Sequence, residues 1–236
     1  QREHEAIRQN VGLYDMSSFG KIKIEGKSAK AFLNHVCGAD LSVPNGKIVY
    51  TQFLNKKGGI EADVTVTRLT ETEYIIVTPT ATRVADQAWL RRNSYLFDNV
   101  VITDLTAAEA VLAIMGPNAR DFMQTISPND FSNSKNPFGT IQYIEVGMGL
   151  ARAHRVSYVG ELGWELYIST DMAAHVFETI YCAGEERNLK LCGLHAMDSC
   201  RMEKGFRHFG HDITCEDHVL EAGLGFAVKT QKPNFI

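Results

Sequence analysis

The chain has no apolar run approaching the roughly 18 residues needed to span a bilayer. Its opening, Gln1-Arg2-Glu3-His4-Glu5, has none of the apolar core of a signal peptide. Both absences place it in an aqueous interior compartment. Positive charge is not in excess either: 24 Lys and Arg stand against 28 Asp and Glu, for a net charge of -4. No basic cluster is dense enough to neutralise a phosphate backbone, which argues against a nucleic-acid partner. Cysteine is sparse, odd in number at five, and shows no Cys-x-x-Cys spacing, as expected of unpaired thiols in a reducing compartment. The Gly-x-Ser-x-Gly elbow, the phosphate-cradling Gly-rich loop and the dinucleotide fingerprint are all missing. Cys200, on an expected helix over 195–204, reads as a core thiol rather than a nucleophile. His208, His211, Cys215 and His218 lie close together, but without the paired short spacings of a zinc finger, so no metal site is expected.

What remains is an ordinary globular composition, 44% hydrophobic and 22% charged, carrying an internal repeat. Gly26-Lys27-Ser28-Ala29-Lys30-Ala31-Phe32-Leu33 and Gly116-Pro117-Asn118-Ala119-Arg120-Asp121-Phe122-Met123 both read Gly-x-x-Ala-x-x-Phe-apolar after an apolar strand. Each is followed by strands and a helix: 48–53, 62–69, 74–78 and a helix over 83–95 in the first half, 140–146, 150–157, 165–169 and a helix over 172–187 in the second. Alternation in Asp63-Val64-Thr65-Val66-Thr67 and in Glu165-Leu166-Tyr167-Ile168 has the period of half-buried strands. The expected fold is α+β with antiparallel sheet, two ferredoxin-like halves over 1–105 and 106–236. The first residues, with Ile7, Val11 and Leu13, read as an amphipathic helix, and both ends of the chain read as cut from something longer.

Two isolated carboxylates stand at matching places in the halves, and together they point to one shared site. Asp63 follows Gly58-Gly59, where little neighbouring bulk would let it approach a ligand; equally, it reads as the solvated end of a turn. Glu165, between Trp164 and Leu166, reads as a carboxylate beside an aromatic wall, able to accept paired N–H donors from an amidine-like edge such as that of a pterin. Its other reading is an ion pair with Arg155 or Lys204.

Five motifs in order, Val11-Gly12-Leu13-Tyr14-Asp15-Met16-Ser17, Gly58-Gly59-Ile60-Glu61-Ala62-Asp63, Tyr158-x-Gly160-Glu161-x-Gly163-Trp164-Glu165, Asp198-Ser199-x-Arg201-Met202-Glu203 and Leu220-Glu221-Ala222-Gly223-Leu224, resemble the tetrahydrofolate-binding aminomethyltransferase family of the glycine cleavage T-protein. The likeness runs from about residue 4 to the end. Around Glu203-Lys204-Gly205-Phe206-Arg207-His208 the chain looks more like the C-terminal folate part of dimethylglycine and sarcosine dehydrogenases, whose flavin (FAD) domain lies upstream. The resemblance implies tetrahydrofolate as cofactor, Asp63 as the acid at the folate's reactive edge, Glu165 as the acid gripping the pterin, and Tyr158 and Tyr50 as pocket tyrosines. It also implies a third, β-rich domain, absent here.

Two positions depart from the T-protein: Pro79 where an asparagine is expected, and Met197 where an arginine is expected. Arg201 is retained, for an internal salt bridge. Both departures favour a methylene unit delivered from a flavin site over one on a lipoyl arm. The implied function is formation of 5,10-methylenetetrahydrofolate from an N-methyl amine such as sarcosine or dimethylglycine, in bacterial cytoplasm or the mitochondrial matrix. The alternatives are a glycine cleavage aminomethyltransferase and a non-catalytic folate-binding assembly module.

Overall fold

A computed structural model describes residues 1–232. In chain order the elements are α1 (Arg2–Gln9), β1 (Gly12–Asp15), β2 (Gly20–Glu25), α2 (Ala29–Val36), β3 (Ile48–Leu54), β4 (Ile60–Arg68), β5 (Glu73–Thr78), α3 (Arg83–Ser94) and β6 (Val101–Asp104). They continue with β7 (Glu109–Met115), α4 (Ala119–Ile126), β8 (Ile141–Val146), β9 (Gly149–His154), β10 (Gly163–Ser169), α5 (Ala173–Glu185), β11 (Lys190–Leu191) and α6 (Leu194–Glu203). By their contacts they form two compact units, Phe19–Thr106 with Arg207–Ile236 and Gln1–Ser18 with Ala107–Phe206.

The sheet of the first unit has the order β3-β4-β5-β2-β6, every neighbouring pair antiparallel. Leaving aside the edge strand β3, this is the ferredoxin-like arrangement of strand, helix, two strands, helix, strand. The sheet of the second unit runs β8-β9-β10-β7-β1-β11, the same order with one substitution. β1 pairs antiparallel with β7, from Gly12 opposite Met115 to Asp15 opposite Leu112. It thereby takes the place beside β7 that β6 holds beside β2, and the two-residue β11 pairs parallel outside it. This pairing is why residues 1–18 join the later half instead of the contiguous half 1–105. The expected amphipathic helix is present but shorter: α1 ends at Gln9, buries Ile7, and gives way to a strand in which Leu13 enters the core. Residues 207–232 return to the first unit through a small cluster of Leu54, Ile60, Ile213, Val219, Ala222 and Leu224.

The repeat motif is visible in three dimensions. Gly26 and Gly116 have φ of +129° and +143°, and their N–H groups donate to Thr72 O and Leu162 O. A Cβ on Gly26 would stand 1.8 Å from Asn99 O, and one on Gly116 2.2 Å from Asn10 O. Both glycines are therefore required by backbone passing the turn, ahead of β6 in one unit and ahead of β1 in the other. Ala29 and Phe32, like Ala119 and Phe122, then point into their own unit's core. Each buried Phe contributes on the order of 2–3 kcal/mol of apolar burial.

Candidate functional site

On β10 the alternation sends Trp164, Leu166 and Ile168 into the core, leaving Glu165 and Tyr167 on the opposite face, both buried. Glu165 lies across from His154 of β9, and Tyr167 across from Arg152. The Tyr167 hydroxyl donates to Glu165 Oε2 at 2.8 Å. The His154 ring tilts against the Tyr167 ring with centroids 4.2 Å apart, and the Arg152 guanidinium stands 5.1 Å from the Tyr167 centroid. Arg152 Nε donates to His154 Nε2 at 3.0 Å, which places the proton of a neutral His154 on Nδ1. Burial, and then the Arg152 charge, hold the His154 pKa well below its ordinary range. Arg152 is neutralised by Glu109 at 3.0 Å. Glu165 accepts from a neutral hydroxyl instead, and burial pushes its pKa up to about 7, against the opposing effect of Tyr167. The result is a desolvated acceptor able to take N–H donors.

Two expectations about Glu165 are corrected here. Trp164 forms no wall beside it: adjacent residues of a strand face opposite ways, and Trp164 is buried edge-on to Phe131 at 5.4 Å, its Nε1 donating to Asn136 Oδ1. Nor do Arg155 and Lys204 make the alternative ion pair. Arg155 stands over the Trp164 ring at 5.7 Å and donates to Asn136 O, while the Lys204 stem lies against Gly160.

Tyr158 sits in the loop after β9, its ring stacked on Phe206 at 6.1 Å between centroids. Arg8 of α1 holds this loop. Its Nη1 donates to Val159 O at 2.6 Å and to Glu161 at 2.8 Å, and its Nη2 donates to Cys200 O at 2.9 Å and to Glu203 at 2.8 Å. Gly160, at φ +73°, leaves no room for a side chain, since a Cβ would meet Lys204 Cγ at 2.2 Å. Arg201 of α6 is held by Asp198 at 2.6 Å and is buried.

In the other unit, Ala62, Val64 and Val66 of β4 pack into the core and Asp63 takes the opposite face, half-buried. Its partner across the ladder is Gln52 of β3, whose Nε2 donates to Asp63 Oδ1 at 2.9 Å. The Tyr50 side chain also hydrogen-bonds to Asp63, and burial outweighs both contacts to push the Asp63 pKa up to about 6. Gln52 is fully buried, and its Oε1 has no hydrogen-bond partner among the described residues. Tyr50 stacks on the exposed Phe226 at 6.1 Å.

Gly58 and Gly59 do not open space for a ligand, as their spacing before Asp63 led us to expect. A Cβ on Gly58 would meet the His218 ring at 2.7 Å, and one on Gly59 would meet Cys215 O at 2.5 Å; the returning segment fills the gap. Among the described residues no three His, Cys, Asp or Glu side chains converge as a metal site. His208 and His211 pack ring to ring at 4.2 Å.

The two acids are not at matching places. β4 corresponds in the repeat to β9, whereas β10 corresponds to β5. Sequence reasoning also missed Gln52, Tyr167, His154, Arg152 and Arg8. Tyr167 was within reach, two residues along the same strand face as Glu165. The others depend on register or tertiary contact.

Residues 1–232 match the model of the GCVT N-terminal domain. The chain is 42% identical to a 4-methylaminobutanoate oxidase (formaldehyde-forming) of Paenarthrobacter nicotinovorans, with 98% of this chain and 28% of the oxidase aligned. It is 35% identical to the mitochondrial sarcosine dehydrogenase of Mus musculus, over 97% of this chain and 26% of that protein. An aminomethyltransferase of Bacillus velezensis is 34% identical, over 98% of this chain and 62% of its own length. The chain thus spans about a quarter of the oxidase and dehydrogenase relatives. Among solved structures, the glycine cleavage system aminomethyltransferase T of Bartonella henselae superposes with a TM-score of 0.87 at 28% identity, covering 99% of this chain and 63% of that one. A topology built twice on the ferredoxin-like plan, the ordered motifs and a family match over nearly its whole length together make this chain a member of the GCVT N-terminal domain family.

Proposed function

We propose that the chain is a tetrahydrofolate-binding one-carbon transfer domain, working with a flavin oxidoreductase that demethylates an N-methyl amine. The observation that carries this reading is a pair of desolvated carboxylates, Glu165 and Asp63, each held by neutral donors in place of a cation. Such groups suit a ligand that brings its own N–H donors. The reduced pterin of tetrahydrofolate presents an N–H and amino edge of that kind. When bound, tetrahydrofolate supplies the nucleophilic nitrogens that take up a unit at the formaldehyde oxidation level, the product being 5,10-methylenetetrahydrofolate.

Glu165 grips and orients the pterin edge, with Tyr167 fixing its rotamer. Tyr158 and Tyr50 offer aromatic faces to the ligand. Asp63 stands at the reacting edge, where a carboxyl titrating near pH 6 can hold or release a proton while Gln52 keeps the side chain in place. Positioning supplies the larger share of the acceleration, because both reactants are held in one orientation.

The flavin partnership is supported by the relatives named as an oxidase and a sarcosine dehydrogenase, at 42% and 35% identity. The same reading puts the domain in bacterial cytoplasm or the mitochondrial matrix. Asp63→Asn tests the proposal. It should slow formation of 5,10-methylenetetrahydrofolate by about 10²-fold or more while folate affinity stays within a few-fold. Transfer at the parental rate would remove Asp63 from the mechanism. Aminomethyl transfer from a lipoyl carrier, in place of methylene capture from an oxidised methylamine, would establish glycine cleavage as the activity.

A further inference from the structure

The fully buried Gln52 has one half of its amide committed to Asp63 and the other half without a partner among the described residues. A buried amide oxygen without a donor is costly, and a Leu or Met of similar size would avoid that cost. Gln52 stands directly opposite Asp63 in the β3–β4 ladder, so the strands fix the distance between the two side chains. Its amide has both a donor and an acceptor end, and a turn of roughly 180° about its last bond exchanges them.

We propose that Gln52 is the positioning residue for the Asp63 proton: its NH2 group holds the ionised carboxylate, and after protonation its Oε1 accepts the O–H of the neutral acid. The same side chain then fits Asp63 before and after a proton arrives, and Asp63 need not leave its rotamer. The other groups near Asp63 are the Tyr50 side chain on β3, and Glu61 and Thr65 on its own face of β4; Glu61 is engaged by Asn55 Nδ2 at 2.9 Å. Phe226, packed on Tyr50, carries no charge. Gln52 is therefore a fully buried group on the facing strand that can donate to the anion and also accept from the acid. Its effect on activity rests on the one-carbon transfer reading of Asp63; its effect on Asp63 titration does not.

The test is a carboxyl 13C NMR titration of Asp63, assigned by its loss in Asp63→Asn, in the parent, Gln52→Met and Gln52→Glu. Gln52→Met should raise the midpoint by up to about one pH unit, a gain in proton affinity of up to about tenfold, because the charge-assisted bond to the anion that it loses is stronger than the neutral bond to the acid that it also loses. Gln52→Glu should give two coupled steps, because two facing carboxyls share the first proton. The acid limb of the transfer rate should move with the midpoint in Gln52→Met. An unmoved midpoint in Gln52→Met, or a single unshifted step in Gln52→Glu, overturns the role of Gln52. A moved midpoint with an unmoved rate profile upholds Gln52 and overturns instead the catalytic reading of Asp63.

Discussion

At the scale of single residues, the proposed chemistry rests on carboxylates whose proton affinity is set by what surrounds them. Glu165 is 9% exposed and its pKa is pushed up to about 7, from an ordinary value of 4.5. The sign of the consequence follows from linkage: the folded state binds this proton more tightly than the unfolded chain does, so stability falls as pH rises from about 4.5 to about 7. The loss over that window is on the order of 3 kcal/mol. Glu165→Gln keeps an acceptor for the Tyr167 hydroxyl and removes the titration. Urea unfolding at pH 4.5 and pH 8 should therefore show a stability difference that shrinks by about that amount in the variant. The same pKa bears on binding. Near pH 7 about half of the Glu165 side chains carry a proton, and N–H donors from a ligand favour the ionised form. Folate binding should release up to about 0.5 proton from this group, measurable by calorimetry in buffers of different ionisation enthalpy and lost in Glu165→Gln. Of this chemistry, Asp63 and Glu165 were legible in the sequence as acids on alternating strands. The parity that turns Trp164 away from Glu165 was legible too. The Gln52 contact was not, since it needs the register of β3 on β4.

At the scale of elements, glycines and one arginine decide how the chain turns. Gly26→Ala and Gly116→Ala force a Cβ into backbone oxygens at 1.8 and 2.2 Å at positive φ, and each should cost about 3 kcal/mol or more. Gly210, at φ +92° with nothing within 4 Å of its Cβ, is the control: Gly210→Ala bears conformational strain alone and should cost about 1 kcal/mol. Chemical denaturation of the three variants orders them. Arg8 joins α1, α6 and the Tyr158 loop through one guanidinium. Arg8→Ala leaves Val159 O, Cys200 O and Glu161 without those donors, at a cost of about 2–4 kcal/mol. It should raise amide exchange in residues 158–161 and 200–203 before the rest of that unit. The repeated Gly-x-x-Ala-x-x-Phe turns were legible because one local geometry needs those residues at those spacings. The passage from α1 to β1 was not: Ile7, Val11 and Leu13 fit an apolar helix face as well as a helix followed by a strand, and only pairing with β7 selects the second.

At the scale of the whole molecule, one duplicated plan carries two differently furnished sheets. The strand order repeats, yet β1 replaces the repeat's own last strand beside β7, and the segment 207–232 packs back onto the β3–β4 hairpin through Gly58, Gly59 and Ile60. Duplication was readable from the motifs, whereas these exchanges arise from sheet pairing and cluster packing between residues far apart in sequence. The family match spans residues 1–232 and covers the duplicated fold together with the loop that holds Tyr158 and the strand that holds Asp63. The central claim is that this fold binds tetrahydrofolate through Glu165, and calorimetric titration with 5-formyltetrahydrofolate tests it most directly. Fluorescence is the poorer reporter, because Trp164 is buried in the core on the face opposite Glu165. The account predicts saturable binding that Glu165→Gln weakens by about tenfold or more, the loss of one charge-assisted contact, and that Asp63→Asn leaves nearly intact. Binding of equal strength in the parent and Glu165→Gln, or no saturable heat from the parent, would contradict it.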